Sequence, residues 1–75
     1  MSLEKKSLTI VLPLFNEKDS ISKLLEEITN VLLNEKILDY EILIIDDGST
    51  DGSWVEIEKI CSTNKKVLAY KLKKN

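Results

Sequence analysis

The 75-residue chain contains no histidine and no arginine, and its positive charge is carried by eleven lysines. It therefore lacks both the usual general base near neutral pH and the planar fork that clamps phosphate through two bonds. Any chemistry must draw on carboxylates, lysines, hydroxyls or the main chain. Cys61 is the single cysteine, which excludes an intramolecular disulfide and a thiolate zinc site and fits a reducing, intracellular setting. No apolar run approaches the ~18 residues of a membrane span. Residues 1–6 are charged and lead into no signal-peptide core, so they read as a disordered leader or an expression remnant. Thirteen acidic residues against eleven lysines give a net charge of -2, with no basic excess to suggest nucleic acid or anionic lipid as a partner.

What is present describes a foldable α/β chain. Hydrophobic residues make up 43% and charged residues 32%, too apolar a balance for a disordered tail. The length is about half of a typical ~150-residue domain, so the chain is one small domain or part of a larger one. Leu8, Thr9, Ile10, Val11 and Leu12 form a β-branched, apolar run halted by Pro13, predicting a strand buried on both faces. Ile21, Leu24, Leu25, Ile28 and Leu32 recur at the spacing of one helical face, with Asp19 or Ser20 placed to cap it. Residues 41–46 hold Ile42, Leu43, Ile44 and Ile45 in one block, again predicting a strand covered on both sides.

Turn residues then take over through Ser53. Ser53 and Glu56 have capping-box spacing, Asp51 offers an earlier cap, and Trp54, Ile57 and Cys61 supply the apolar face of a shorter helix. Trp54 and Cys61 read as core residues. Residues 67–73 alternate, with Leu68, Tyr70 and Leu72 opposite Lys71 and Lys73, predicting a half-exposed edge strand; Lys71, Lys73 and Lys74 read as solvated.

The order is βαβαβ, and both crossovers are long enough for parallel pairing. Right-handed crossovers place the strands in order 3-2-1 and leave the first strand at an edge. The fold class expected is α/β, a three-stranded parallel Rossmann-like unit spanning residues 7–75 as a partial domain. A strand so apolar is a poor edge. The sheet is therefore expected to continue in the natural protein, and the chain by itself to self-associate through that edge.

Ligands of open parallel sheets bind outside the carboxyl ends of the strands, here residues 13–17 and 46–52. The second segment carries Asp46, Asp47 and Asp51 with Gly48 and Gly52. Asp, Gly and Ser are also ordinary turn and cap residues, so plain turn chemistry is the competing explanation. These carboxylates would repel a bare phosphate. As pure acceptors they suit ribose hydroxyls and ring N–H groups, such as those of uracil or guanine; adenine has no comparable ring N–H. The glycine patterns of dinucleotide-binding and ATP-binding loops are absent.

Ile10-Val11-Leu12-Pro13-Leu14-Phe15-Asn16-Glu17, followed after one helix by Ile44-Ile45-Asp46-Asp47-Gly48-Ser49-Thr50-Asp51-Gly52, resembles the amino-terminal signature of family 2 glycosyltransferases. Within that family it is most similar to the branch making polyprenyl-phosphate sugars. The resemblance implies an A-type glycosyltransferase fold, a nucleotide-diphospho-sugar donor of uridine or guanosine type, and inverting transfer to a polyprenyl phosphate, glycan or other acceptor. It further implies a divalent cation, Mg or Mn, in the full-length enzyme, working in the cytoplasm or at the cytoplasmic face of the membrane. By motif position Asp47 contacts the base, and Pro13, Leu14, Phe15, Asn16 and Glu17 line the base and ribose pocket beside Gly48. Asp46 also belongs to the nucleotide loop, with an ordering role. Phe15 stands where the family often has tyrosine. The Asp-any-Asp metal motif, the catalytic base and the acceptor site have no counterpart in these 75 residues, so the chain alone is expected to be inactive.

Two alternatives stand beside this reading. A phospho-acceptor receiver domain also combines paired acids with a parallel sheet, but carries the pair after its first strand and an Asp after its third, which this chain does not. The other alternative is a non-catalytic α/β fragment or self-associating module.

Overall fold

The computed structural model describes residues 7–72 of the protein. The elements are β1 (Ser7–Leu14), α1 (Ile21–Asn34), β2 (Asp39–Asp46), α2 (Ser53–Thr63) and β3 (Val67–Lys71). They form one sheet of order β1-β2-β3 in which both pairings are parallel, with Ile10 beside Ile42 and Ile42 beside Val67. The βαβαβ unit, the neighbouring parallel strands and the edge position of β1 are as the sequence predicts. The suggested leader, residues 1–6, and Lys73, Lys74 and Asn75 lie outside the described residues.

β1 runs through Pro13 to Leu14, beyond the halt expected at Leu12. The Leu14 carbonyl accepts from the Asp47 N–H at 2.9 Å, so Leu14 directs its main-chain groups at β2. Pro13, one residue earlier, then turns its nitrogen to the open edge, where the missing N–H breaks no ladder bond.

Both helices cover the same sheet face. Ile42, Ile44 and Val67 on that face pack with Leu14, Ile21, Leu25 and Ile57 into the core, and Ile10, Leu12, Trp54 and Cys61 pack against it. Two-sided burial of β1 and β2 does not occur. Val11 on β1 and Tyr70 on β3 are each 60% exposed, and Leu43 and Ile45 on β2 are half-buried. Two successive right-handed crossovers in one direction place both helices on one side, whatever the strands' composition. In β3 the covered residues are Val67 and Ala69, while Leu68 and Tyr70 lie on the open face.

The helix ends also depart from expectation. Ser20 occupies the α1 N-cap without a side-chain cap bond, its hydroxyl donating instead to Glu17 Oε2 at 2.7 Å. At the other end Lys36 adopts φ 58, with Lys36 N–H donating to the Leu33 carbonyl and Ile37 N–H to that of Leu32. That is a Schellman closure with lysine where glycine is usual. The α2 N-cap is Gly52, at φ 90, so Ser53 is the first helical residue and the expected Ser53–Glu56 capping box is not formed. Asp51, one residue before the cap, accepts the Ser53 N–H at 2.9 Å in its place.

Candidate functional site

The carboxyl ends of β1 and β2 open into two loops that lie side by side. Four hydrogen bonds join them. Asn16 N–H donates to Ser49 Oγ at 2.9 Å, and Asn16 Oδ1 accepts from Thr50 N–H at 2.7 Å. Glu17 N–H donates to Ser53 Oγ at 3.0 Å, and Lys18 N–H donates to Asp51 Oδ2 at 3.1 Å. Three successive main-chain donors of the first loop therefore end on side chains of the second loop and of the first residue of α2. Asn16 meets this geometry at φ 50, a left-handed conformation that asparagine tolerates better than most residues.

Each serine in this contact is itself held by a carboxylate. Asp46 Oδ1 accepts the Ser49 hydroxyl and the Ser49 N–H, the latter at 3.1 Å. Asp51 Oδ1 accepts the Ser53 hydroxyl as well as the Ser53 N–H. The Ser53 hydroxyl is the main influence holding the Asp51 carboxyl below the ordinary carboxylate range; partial desolvation opposes it, and the Lys18 and Ser53 N–H groups add to it. Asp46 and Ser53 are both fully buried, at 0% exposure.

The adjacent Asp46 and Asp47 point to opposite sides of the strand end, as alternation on an extended chain requires. Asp46 faces inward with its Oδ2 unpartnered, while Asp47 is exposed and makes no side-chain hydrogen bond among the described residues. Gly48 follows at φ 78 and lets the chain turn away from the strand end. Of the expected site residues, Phe15, Asn16 and Glu17 are exposed on the first loop, while Pro13, also exposed, and Leu14, buried, end β1. Pro13, Leu14 and Glu17 also line a groove of about 490 Å³ against α1 with Ser20 and Lys23, and Asp47 is not on it.

The carboxylates here do not assemble into a cation site. Among the described residues no group of three or more potential ligands comes together, and Asp46 and Asp51 are each turned onto a serine. The side chains of Ser49, Asp51 and Ser53 that join the loops are not singled out by the sequence as contacts, because they look like turn and cap residues. The one available signal is the Asp-x-x-Ser and Asp-x-Ser spacing of two carboxylate–hydroxyl pairs within eight residues.

A parallel α/β sheet with two polar loops at the carboxyl ends of its strands has the layout in which open α/β sheets hold their ligands. The family model described as Glycosyl transferase family 2 matches residues 9–75, and the chain belongs to that family. It is 39% identical to an uncharacterised glycosyltransferase of Bacillus subtilis over 96% of its own length and 23% of the relative's. It is 41% identical to an undecaprenyl-phosphate 4-deoxy-4-formamido-L-arabinose transferase of Pseudomonas fluorescens, over 72% of this chain and 16% of that protein. With a dolichol-phosphate mannosyltransferase of Pyrococcus furiosus it shares 32% identity over 72% of this chain and 14% of the other. The chain thus spans less than a quarter of the length of these relatives.

Proposed function

We propose that the chain is the nucleotide-recognition portion of an inverting glycosyltransferase that uses a uridine or guanosine diphospho-sugar and delivers the sugar to a polyprenyl phosphate or glycan. The observation that carries this reading is the exposed Asp47 carboxylate at the β2 end, beside two carboxylates already committed to serines. An ionised carboxylate only accepts hydrogen bonds, so it selects the ring N–H of uracil or guanine over adenine. Phe15, exposed on the facing loop, supplies an apolar wall for the base, and Glu17 is placed for the ribose. The names of the relatives support a polyprenyl phosphate acceptor. Such an acceptor puts the reaction at the cytoplasmic face of a membrane; among the described residues no helix is long and apolar enough to cross one.

In an inverting transfer a base takes the acceptor proton, the acceptor oxygen attacks the anomeric carbon, and the nucleoside diphosphate leaves. The part assigned to this chain is to hold the base and ribose. A base for the acceptor and a divalent cation for the leaving diphosphate are assigned to other parts of the enzyme, so this chain alone turns over no donor. The test is a titration of the chain with uridine, guanosine and adenosine diphosphates. The first two bind more tightly than the third, and Asp47→Asn weakens them by about 1–3 kcal/mol. Equal binding of all three, or an unaffected Asn variant, refutes the role of Asp47.

The open sheet face, with Val11 and Tyr70 exposed, favours a second reading, in which the isolated chain is a self-associating module without turnover. The two are compatible when the chain acts within a longer enzyme.

A further inference from the structure

We propose that Asp51, Ser53 and Ser49 are positioning residues of the nucleotide loop, setting the main chain of residues 16–18 through serine hydroxyls whose polarity is fixed by carboxylates. The role rests on the nucleotide-binding reading above.

The argument begins with the hydroxyl. A serine Oγ can donate one proton or accept through its lone pairs. When a carboxylate takes the proton, only the lone pairs remain, and the hydroxyl must act as an acceptor toward its other neighbour. Ser53 donates to Asp51 and accepts from Glu17 N–H. Ser49 donates to Asp46 and accepts from Asn16 N–H. Two carboxylate–serine–amide relays of the same sense thus run in parallel, and Asp51 adds a direct bond to Lys18 N–H. Consecutive N–H groups of residues 16, 17 and 18 are all drawn to the α2 side, and the loop is set before a ligand arrives. A preformed loop avoids the ordering cost at binding.

Asp51 is more constrained than its exposure suggests. Its Oδ2 accepts one N–H, and its Oδ1 accepts an N–H and a hydroxyl. Every partner of this carboxylate is a donor. An asparagine at this position must turn its own NH2 toward Lys18 N–H or Ser53 N–H, so at least one bond is lost in either orientation. Exposure normally makes an Asp-to-Asn change mild; here it opens the loop.

The experiment measures amide hydrogen exchange at residues 16–18 together with the affinity for uridine diphosphate, in the unsubstituted chain and in Asp51→Asn, Ser53→Ala, Ser49→Ala and Ser49→Thr. Asp51→Asn and Ser53→Ala lose protection at Lys18 or Glu17, and Ser49→Ala loses it at Asn16. Each weakens uridine diphosphate by about three- to tenfold, the worth of one net hydrogen bond. Ser49→Thr keeps the hydroxyl and restores both protection and affinity. The proposal is overturned if the variants keep their amide protection, or if they lose it and bind as before. An unsubstituted chain that binds none of the three nucleoside diphosphates refutes the nucleotide reading and takes the positioning role with it. Intact binding by the chain with indifferent variants refutes the positioning role alone.

Discussion

Within six residues, from the end of β2 to the turn before α2, three carboxylates of the same chemistry are set to different tasks by geometry. Asp47 is exposed, Asp46 is buried against Ser49, and Asp51 accepts three donors. The depressed Asp51 pKa stabilises the loop above the ordinary carboxylate value near 3.9, and that contribution is lost as pH falls through the lowered folded value. Lys18 and Ser53 amide resonances are therefore expected to titrate together only below about pH 4; a joint titration above that value contradicts the assignment. Asp46→Asn is expected to retain Asn16 amide protection, because its NH2 can occupy the unpartnered Oδ2 position and leave both Ser49 bonds in place. At Cys61, partial burial, reinforced by nearby Glu58, raises the thiol pKa. Alkylation of the native chain at pH 8 is thus expected to be slower than that of the unfolded chain. The clustering of acids at the β2 end is legible in the sequence, and the family resemblance separates Asp47 from Asp46; what is not legible is that Asp46 and Asp51 are each bound to a serine two or three residues away.

At the scale of elements, the helices hold the sheet through one face each. Ile57→Ala removes a side chain at 0% exposure and is expected to cost about 2–5 kcal/mol, whereas Val55→Ala on the open side of α2 changes stability by about 0.5 kcal/mol or less. Urea denaturation separates the two. The α1 terminus offers a change of opposite sign. Lys36 sits at φ 58 in a position glycine fills without strain, so Lys36→Gly is expected to stabilise by about 0.5–1 kcal/mol, read as a higher urea midpoint with an unchanged slope. Element type and order were legible in the sequence because two apolar blocks and two helical faces repeat at distinct periods. Burial was not. A block such as residues 42–45 fits a strand covered on one face or on both, and the number of covered faces depends on which way the crossovers turn.

For the whole molecule, the bare sheet face is the dominant physical fact. Val11, Leu68 and Tyr70 are exposed on the side opposite both helices, flanking half-buried Leu43 and Ile45. The isolated chain is expected to self-associate at high micromolar concentration. Leu68→Lys with Tyr70→Lys is expected to restore the monomer in sedimentation equilibrium without lowering the thermal midpoint. A monomer at all concentrations in the unsubstituted chain contradicts that expectation. Family membership was legible from two short segments, because both belong to the loops that the parallel topology brings together. The bonds that join them were invisible, since none of the participating serines, threonine or asparagine stands out by composition. The most direct test of the central claim is a map of backbone amide shifts under uridine, guanosine and adenosine diphosphates. The account predicts perturbations by the uridine and guanosine nucleotides confined to residues 13–18 and 46–50, with little response to the adenosine nucleotide; equal responses to all three, or shifts centred on α2 and β3, contradict it.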